Sequence, residues 1–180
     1  MVTIAGNGAN AYSGDGVPAV SAPLVYPWTV TAYQGGYLFS SGYSIQQLWP
    51  NGTLTYVVSK SHTYGNSGDG GLAVNAQIRG SSSIRADPAG SGGGFLISDD
   101  GSNGVRRVGD NGTIWLVAGS YVNGFTGDGG PATSAKIDQR GIGPDGVVSG
   151  HVVLSCIEGK SDCFVASPLL HPHCRAAFTS

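Results

Sequence analysis

Apolar and β-branched residues along this chain fall in short runs broken by glycine, asparagine and proline, and the runs recur in sets of four. The first set is Trp28-Thr29-Val30-Thr31-Ala32-Tyr33, Tyr37-Leu38-Phe39-Ser40-Ser41, Ser44-Ile45-Gln46-Gln47-Leu48-Trp49 and Leu54-Thr55-Tyr56-Val57-Val58, with turns at Gly35-Gly36 and Asn51-Gly52. The second is Ser83-Ile84-Arg85-Ala86-Asp87, Phe95-Leu96-Ile97-Ser98, Val105-Arg106-Arg107-Val108 and Thr113-Ile114-Trp115-Leu116-Val117-Ala118, with Gly92-Gly93-Gly94 and Asn111-Gly112 between them. Such runs bounded by turn residues read as strands, and Asn-Gly between two of them marks a hairpin. The pattern predicts an all-β chain of four-stranded antiparallel meanders, with each Asn-Gly forming a two-residue hairpin turn. Several runs are apolar on both faces, as expected for a sheet sandwiched between neighbours.

A third set begins and then fades. Val152-Val153-Leu154-Ser155 aligns with Phe95-Leu96-Ile97-Ser98, but Ile142-Gly143-Pro144-Asp145-Gly146 makes a poor strand because glycine and proline disfavour it. Beyond Cys156 no further strand is expected.

Ahead of each set stands a copy of one segment: SGDGVPAVSAPL from Ser13, SGDGGLAVNAQI from Ser67 and TGDGGPATSAKI from Thr126. Recurrence at a period of roughly 55 to 60 residues means stacked supersecondary units. Each copy reads as a Gly-Asp-Gly turn, a small helix-tolerant run and an apolar stop. The opening Met1-Val2-Thr3-Ile4-Ala5-Gly6 ends like Trp115-Leu116-Val117-Ala118-Gly119. The organisation expected is therefore a last strand of a preceding unit over 1–6, units over 7–59 and 60–119, a partial unit over 120–156 and a divergent tail over 157–180.

Composition narrows the function classes. Glycine supplies 31 of 180 residues and charged residues only 11%, a balance that suits a turn-rich β protein. A net charge of −2 with no basic stripe speaks against nucleic acid or an anionic membrane as partner. No apolar run approaches the roughly 18 to 20 residues of a membrane span, and the N-terminus lacks the layout of a signal peptide. The compartment stays open. Cys156, Cys163 and Cys174 all lie in the tail, which is not a disulfide framework.

With these residues in hand, the chain resembles NHL-repeat β-propellers of the long-repeat type, in which a Gly-Asp-Gly-Gly-Pro-Ala-Thr-Ser-Ala insertion precedes each blade, as in bacterial and algal propellers and the NHL domain of teneurins. The likeness is densest at Gly127 through Ala135 and at Asp99, Asn103, Val105, Arg106, Arg107 and Val108, and it covers roughly residues 2 to 156. It implies a propeller segment of four-stranded antiparallel blades, about three blade-equivalents in an incomplete ring. Ser41, Gln46 and Gln47 depart from the family's Asp and basic residues, which weakens the polar tie of the first unit. The resemblance implies a non-enzymatic scaffold without a cofactor, binding a protein, peptide or glycan through loop faces or a central channel. Two alternatives stay open: a propeller lyase or hydrolase with a divalent metal at the channel, and a fragment with no independent function. As partners, either a second copy completing a ring or the remainder of a longer chain is expected.

Among residues able to carry chemistry, Asp15, Asp69 and Asp128 recur at one structural position. Each is expected to accept backbone N–H groups in its own turn, or else to converge with its copies on a polar ligand at one rim. Asp99 and Arg106, with Arg85, Arg107, Asp87 and Asp100, read either as ties between strands or as a lined face. His151, Cys156, Cys163, His171, His173 and Cys174 match no paired zinc-ligand spacing. Asn51-Gly52-Thr53 and Asn111-Gly112-Thr113 fit the glycan-acceptor pattern, though the turns account for them. Trp28, Tyr37, Phe39, Trp49, Tyr56, Phe95 and Trp115 are expected in the core. Tyr12, Tyr26, Tyr64, Tyr121 and Phe125 are expected in loops between units, as staples or as a recognition rim.

Overall fold

The computed structural model of the chain describes residues 1–87, 93–138, 153–156 and 163–166. It is all-β. The first sheet holds β1 (Val17–Pro18), β2 (Pro27–Tyr33), β3 (Gly36–Ser41), β4 (Ser44–Leu48) and β5 (Thr53–Val58), in the spatial order β1-β5-β4-β3-β2. The second holds β6 (Ser81–Ala86), β7 (Phe95–Asp99), β8 (Gly104–Val108) and β9 (Ile114–Ala118), in order. All these pairings are antiparallel. Phe39 pairs with Gln46 where Ile97 pairs with Arg106, so the two meanders share one register.

The two Asn-Gly turns differ from expectation by one residue. Trp49 and Thr53 close the first, with Gly52 N–H donating to the Trp49 carbonyl, and Gly109, Thr113 and Gly112 repeat the arrangement. Each loop is thus three residues long, with glycine last at φ +83° or +76°, the turn-plus-bulge form of hairpin. The Asn51 and Asn111 side chains accept the N–H of Thr53 and Thr113, which holds the asparagine one place before the left-handed position.

Apolar layers lie on both faces of each sheet, though the outward side of β2 is left exposed. Leu38, Ile45 and Val58 of the first sheet pack on Ile84, Phe95, Ile97, Val108 and Ile114 of the second, with Ala73, Ala76 and Ile78 filling between. On the outer face of the first sheet, Phe39, Leu48 and Leu54 meet Ala19 and Ala22. On the outer face of the second, Val105 and Ala118 meet Ala132, Ala135 and Ile137. The covering residues come from the three Gly-Asp-Gly segments. Each contains a single 3-10 turn, over Ala19–Ser21, Ala73–Asn75 and Ala132–Ser134, and its small side chains let the turn lie close against the sheet.

Backbone hydrogen bonds fix the first two segments in the same way, and the third shares the alanine-carbonyl contact. Gly16 and Ala19 donate to the carbonyls of Leu54 and Gly52, as Gly70 and Ala73 donate to those of Ile114 and Gly112. The first alanine carbonyl then accepts from the chain that ends the preceding unit: Gly6 on Ala19, Ser59 on Ala73 and Gly119 on Ala132. Residues 1–6 form no strand, yet Gly6 stands where Ser59 and Gly119 stand.

Beyond Cys156 the expectation of no strand is corrected. β10 (Val153–Cys156) pairs antiparallel with β11 (Cys163–Ala166), Cys156 opposite Cys163. The short run Cys163-Phe164-Val165-Ala166 follows the turn residues Gly159, Ser161 and Asp162 but lies past the point where the chain matches the repeat, so the repeat pattern did not mark it.

Candidate functional site

Of the recurring aspartates, Asp69 is bound most fully. Arg106, on β8 and wholly buried, places its guanidinium 2.8 Å from Asp69 and donates to the carbonyls of Gln77 at 2.7 Å and Ser67 at 3.2 Å. Tyr121 donates its hydroxyl to the other Asp69 oxygen; burial and that bond to Asp69 both push the phenol well above its ordinary pKa. Asp99, at the end of β7, is also wholly buried, accepts Arg79 N–H at 2.8 Å and lies 3.7 Å from Arg106. Burial pushes its carboxyl up to about 6, against the opposing pull of the Arg79 N–H, the Ser102 hydroxyl and Arg106.

The first unit meets the same need without the charge. Gln46 takes the place of Arg106 and donates to Ser13 Oγ at 2.8 Å, while the Tyr56 hydroxyl donates to the Ser13 carbonyl at 3.1 Å. Asp15 accordingly turns to Tyr56 N–H at 2.9 Å and Lys60 Nζ at 2.8 Å. The Lys60 contact, with help from the Tyr56 N–H, holds its carboxyl below the ordinary value against some burial. Neither Asp15 nor Asp69 accepts an N–H of its own turn, contrary to expectation, and no side chain caps the 3-10 turns. The turn N–H groups of Gly16 and Gly70 are committed to strand carbonyls, so the carboxylates reach outward instead. Asp128 is exposed on the third segment, and the strands that would face it lie outside the described residues.

Other charged candidates are also held in place. Arg107 donates to Asp87 at 2.6 Å and to the Gly93 carbonyl at 2.6 Å, and its guanidinium lies 5.2 Å from the Trp115 ring centre. Asp100 accepts Ser82 N–H at 3.1 Å and the Ser98 hydroxyl, and burial raises its pKa. Ser44 gives its proton to the Ser59 carbonyl at 2.7 Å, so His62 Nδ1, 2.7 Å from Ser44 Oγ, is the donor in that contact. Burial lowers the pKa of His62. The six His and Cys side chains from His151 onward lie outside the described residues. Asp15, Asp69, Asp99 and Arg106 therefore do not converge on one open site.

An open cleft lies elsewhere, at the seam between the two sheets. A cleft of about 430 Å³ is lined by Tyr12, Val25, Tyr26, Trp28, Ser40, Gly42 and Tyr43 from the first unit, and by Arg79, Gly80, Ser81, Ser82 and Asp100 from the second. Tyr26 is 73% exposed and Trp28 77%, so the expectation of Trp28 in the core is corrected. It stands at the mouth of β2, where the outward face bears no neighbouring sheet among the described residues. Tyr37 is likewise exposed, whereas Phe39, Tyr56 and Phe95 are buried as expected. Tyr12 stacks on His62, ring centres 3.6 Å apart, and its hydroxyl accepts Tyr43 N–H at 3.4 Å. Across the cleft Arg79 lies 5.2 Å from the centre of the Tyr64 ring and donates to the Gly101 carbonyl at 3.3 Å, while its Nε is buried with no hydrogen-bond partner.

Tyr26 carries a local cost. Its φ is +40°, and its counterpart in the second unit is Gly80 at φ +113°. A side chain in the left-handed region is disfavoured by roughly 1–2 kcal/mol, so this position suits glycine and holds a tyrosine whose ring is mostly in solvent. Sequence reasoning placed Tyr12 and Tyr26 on a possible rim but missed Trp28, Tyr43 and Arg79. The signal available was the mismatch between units: Tyr26 against Gly80 and Trp28 against Ser82.

Among the described residues no three His, Cys, Asp or Glu side chains gather as a metal-binding set. No helix there is long and apolar enough to cross a membrane. No protein-family model matches the chain, and no curated protein matches it.

Proposed function

We propose that the chain is a segment of an NHL-type β-propeller and that it works as a non-enzymatic binding scaffold, taking its ligand in the seam cleft. The observation that carries the reading is the pairing of structurally committed charged side chains with an open aromatic cleft. Asp69, Asp99, Arg106 and Arg107 are committed to holding strands and loops together, while Tyr26 and Trp28 present most of their surface to solvent. A concave, largely aromatic site with a few polar groups is the usual form of a ligand pocket, and loops on a rigid sheet framework are where binding resides.

The propeller part of the reading is supported by the shared register of the meanders, by β2 packing beside β6 and by apolar layers on both faces of each sheet. Rings of four to eight blades are the usual range, so this chain needs either a second copy or further blades to close. Sedimentation equilibrium with and without reductant tests that part: a reductant-insensitive dimer supports closure between chains, and a monomer assigns the missing blades to a longer chain. The binding part is tested by amide chemical-shift mapping with glycan and peptide ligands. Shifts confined to the cleft support the scaffold; absence of any ligand acting there rejects it.

A further inference from the structure

We propose that the seam cleft binds a saccharide, with a pyranose ring stacked on Trp28 or Tyr26 and its hydroxyls held by Arg79, Ser82 and Asp100. The inference rests on the binding-scaffold reading and names the ligand class for it.

The first argument is internal to the molecule. The two units solve the same folding problem in the same register, and the second does so without rings. Asn66, Gly80 and Ser82 stand where the first unit has Tyr12, Tyr26 and Trp28. The β3–β4 turn, Gly42-Tyr43, is also shorter than the β7–β8 connection that contains Asp100–Ser102. The aromatic cluster is therefore not required by the fold. Tyr26 adds to this, because it keeps a left-handed backbone where glycine serves the other unit, and backbone strain of that kind collects at functional positions.

The second argument is the chemistry of the polar wall. Asp100 supplies a carboxylate whose oxygens each accept one bond and retain capacity for another. Arg79 lines the cleft and supplies only donors. A donor and an acceptor lining the same cleft as aromatic rings suit a ligand whose groups both donate and accept beside an apolar C–H face. Sugar hydroxyls on a pyranose have that character. A proline-rich peptide also docks on aromatic grooves, but its backbone offers carbonyl acceptors with no N–H at proline, so it would leave the Asp100 acceptor unmatched. The cleft, at about 430 Å³, lies within the range of small-ligand sites.

The test is calorimetric titration of the 180-residue chain with cellobiose, maltose, lactose and N,N′-diacetylchitobiose, and separately with a polyproline peptide. Tyr26→Gly and Trp28→Ala are run alongside. The expected result is saturable binding of at least one disaccharide, weakened about tenfold or more in at least one of the two variants, the usual scale of one stacked ring. Tyr26→Gly is expected to unfold at the same or a higher temperature, because glycine takes the left-handed backbone freely, so lost binding cannot be ascribed to lost fold. The saccharide assignment is overturned if no disaccharide binds, or if binding is indifferent to both variants. Polyproline binding that Trp28→Ala abolishes, with no sugar bound, sinks the saccharide assignment and leaves the scaffold standing; no binding of either class sinks both.

Discussion

Arg106 and Asp69 stand 37 residues apart in the chain and meet at 2.8 Å, the guanidinium wholly buried and the carboxylate about one-third exposed. This contact joins the third strand of the second sheet to the segment that covers its outer edge. Removing the arginine leaves the Asp99 charge without its ion-pair partner and the carbonyls of Gln77 and Ser67 without their buried donor. Arg106→Met should therefore destabilise the chain by roughly 3–5 kcal/mol, the usual loss when one partner of a buried pair is deleted, as read by urea unfolding. A loss under about 1 kcal/mol, the level of a surface ion pair, would deny the contact its structural role.

The corresponding pair in the first unit predicts a different scale. Lys60 and Asp15 lie 2.8 Å apart with side chains 55% and 34% exposed, and exposed ion pairs contribute about 0–1 kcal/mol. Lys60→Ala should thus be nearly silent, and its small effect should vanish at high salt. Asp15→Ala should cost more, about 1–3 kcal/mol, because it also strips the acceptor from Tyr56 N–H. Equal losses in the two variants would contradict this division.

Asp99 sets a pH dependence. Its carboxyl titrates at about 6 in the fold against an ordinary 3.8, chiefly through burial, so the folded state holds the proton more tightly than the unfolded state. Its contribution is complete below about pH 4 and is lost as pH climbs through about 6. Thermal unfolding across that window should show wild type losing stability relative to Asp99→Asn as pH rises. A constant difference between the two proteins would show that Asp99 titrates normally.

Two glycines of one turn separate conformational cost from crowding. Gly70 has φ +83° and nothing within 4 Å of a built Cβ, whereas at Gly68, φ +101°, a Cβ would lie 2.7 Å from Ala76 Cα. Gly70→Ala should cost about 1 kcal/mol and Gly68→Ala at least about 2 kcal/mol, since strain and overlap add. Denaturant midpoints compare them directly, and the reverse ranking would mean that the turn does not lie against Ala76 as described.

Much of the fold was legible because it depends on local chemistry. The strand runs, the Asn-Gly turns and the three recurring segments all announce themselves through residues close in sequence. The length of the hairpin loops was not legible, since Asn-Gly serves a two-residue turn and the end of a three-residue one alike. The roles of Asp15 and Asp69 were hidden for another reason: their partners, Tyr56 and Arg106, come from strands well downstream. The cleft was the least visible, because Trp28 in a β-rich run looks like a core residue until the two sheets are set beside each other. Only the contrast between Tyr26 and Gly80 in otherwise matching units hinted at it.

The double attachment of the first two Gly-Asp-Gly segments bears on how such a chain can be divided or extended. Ala73 donates to Gly112 of its own unit while accepting from Ser59 of the one before, as Ala19 donates to Gly52 and accepts from Gly6, so each of these two segments acts as a rivet through two plates. A cut just ahead of a segment leaves the upstream plate with an empty hole, and a cut just after it leaves the downstream plate unfastened. Units of this kind transmit stability to their neighbours, and a length of chain that gains or loses plates must carry a rivet for every joint it keeps.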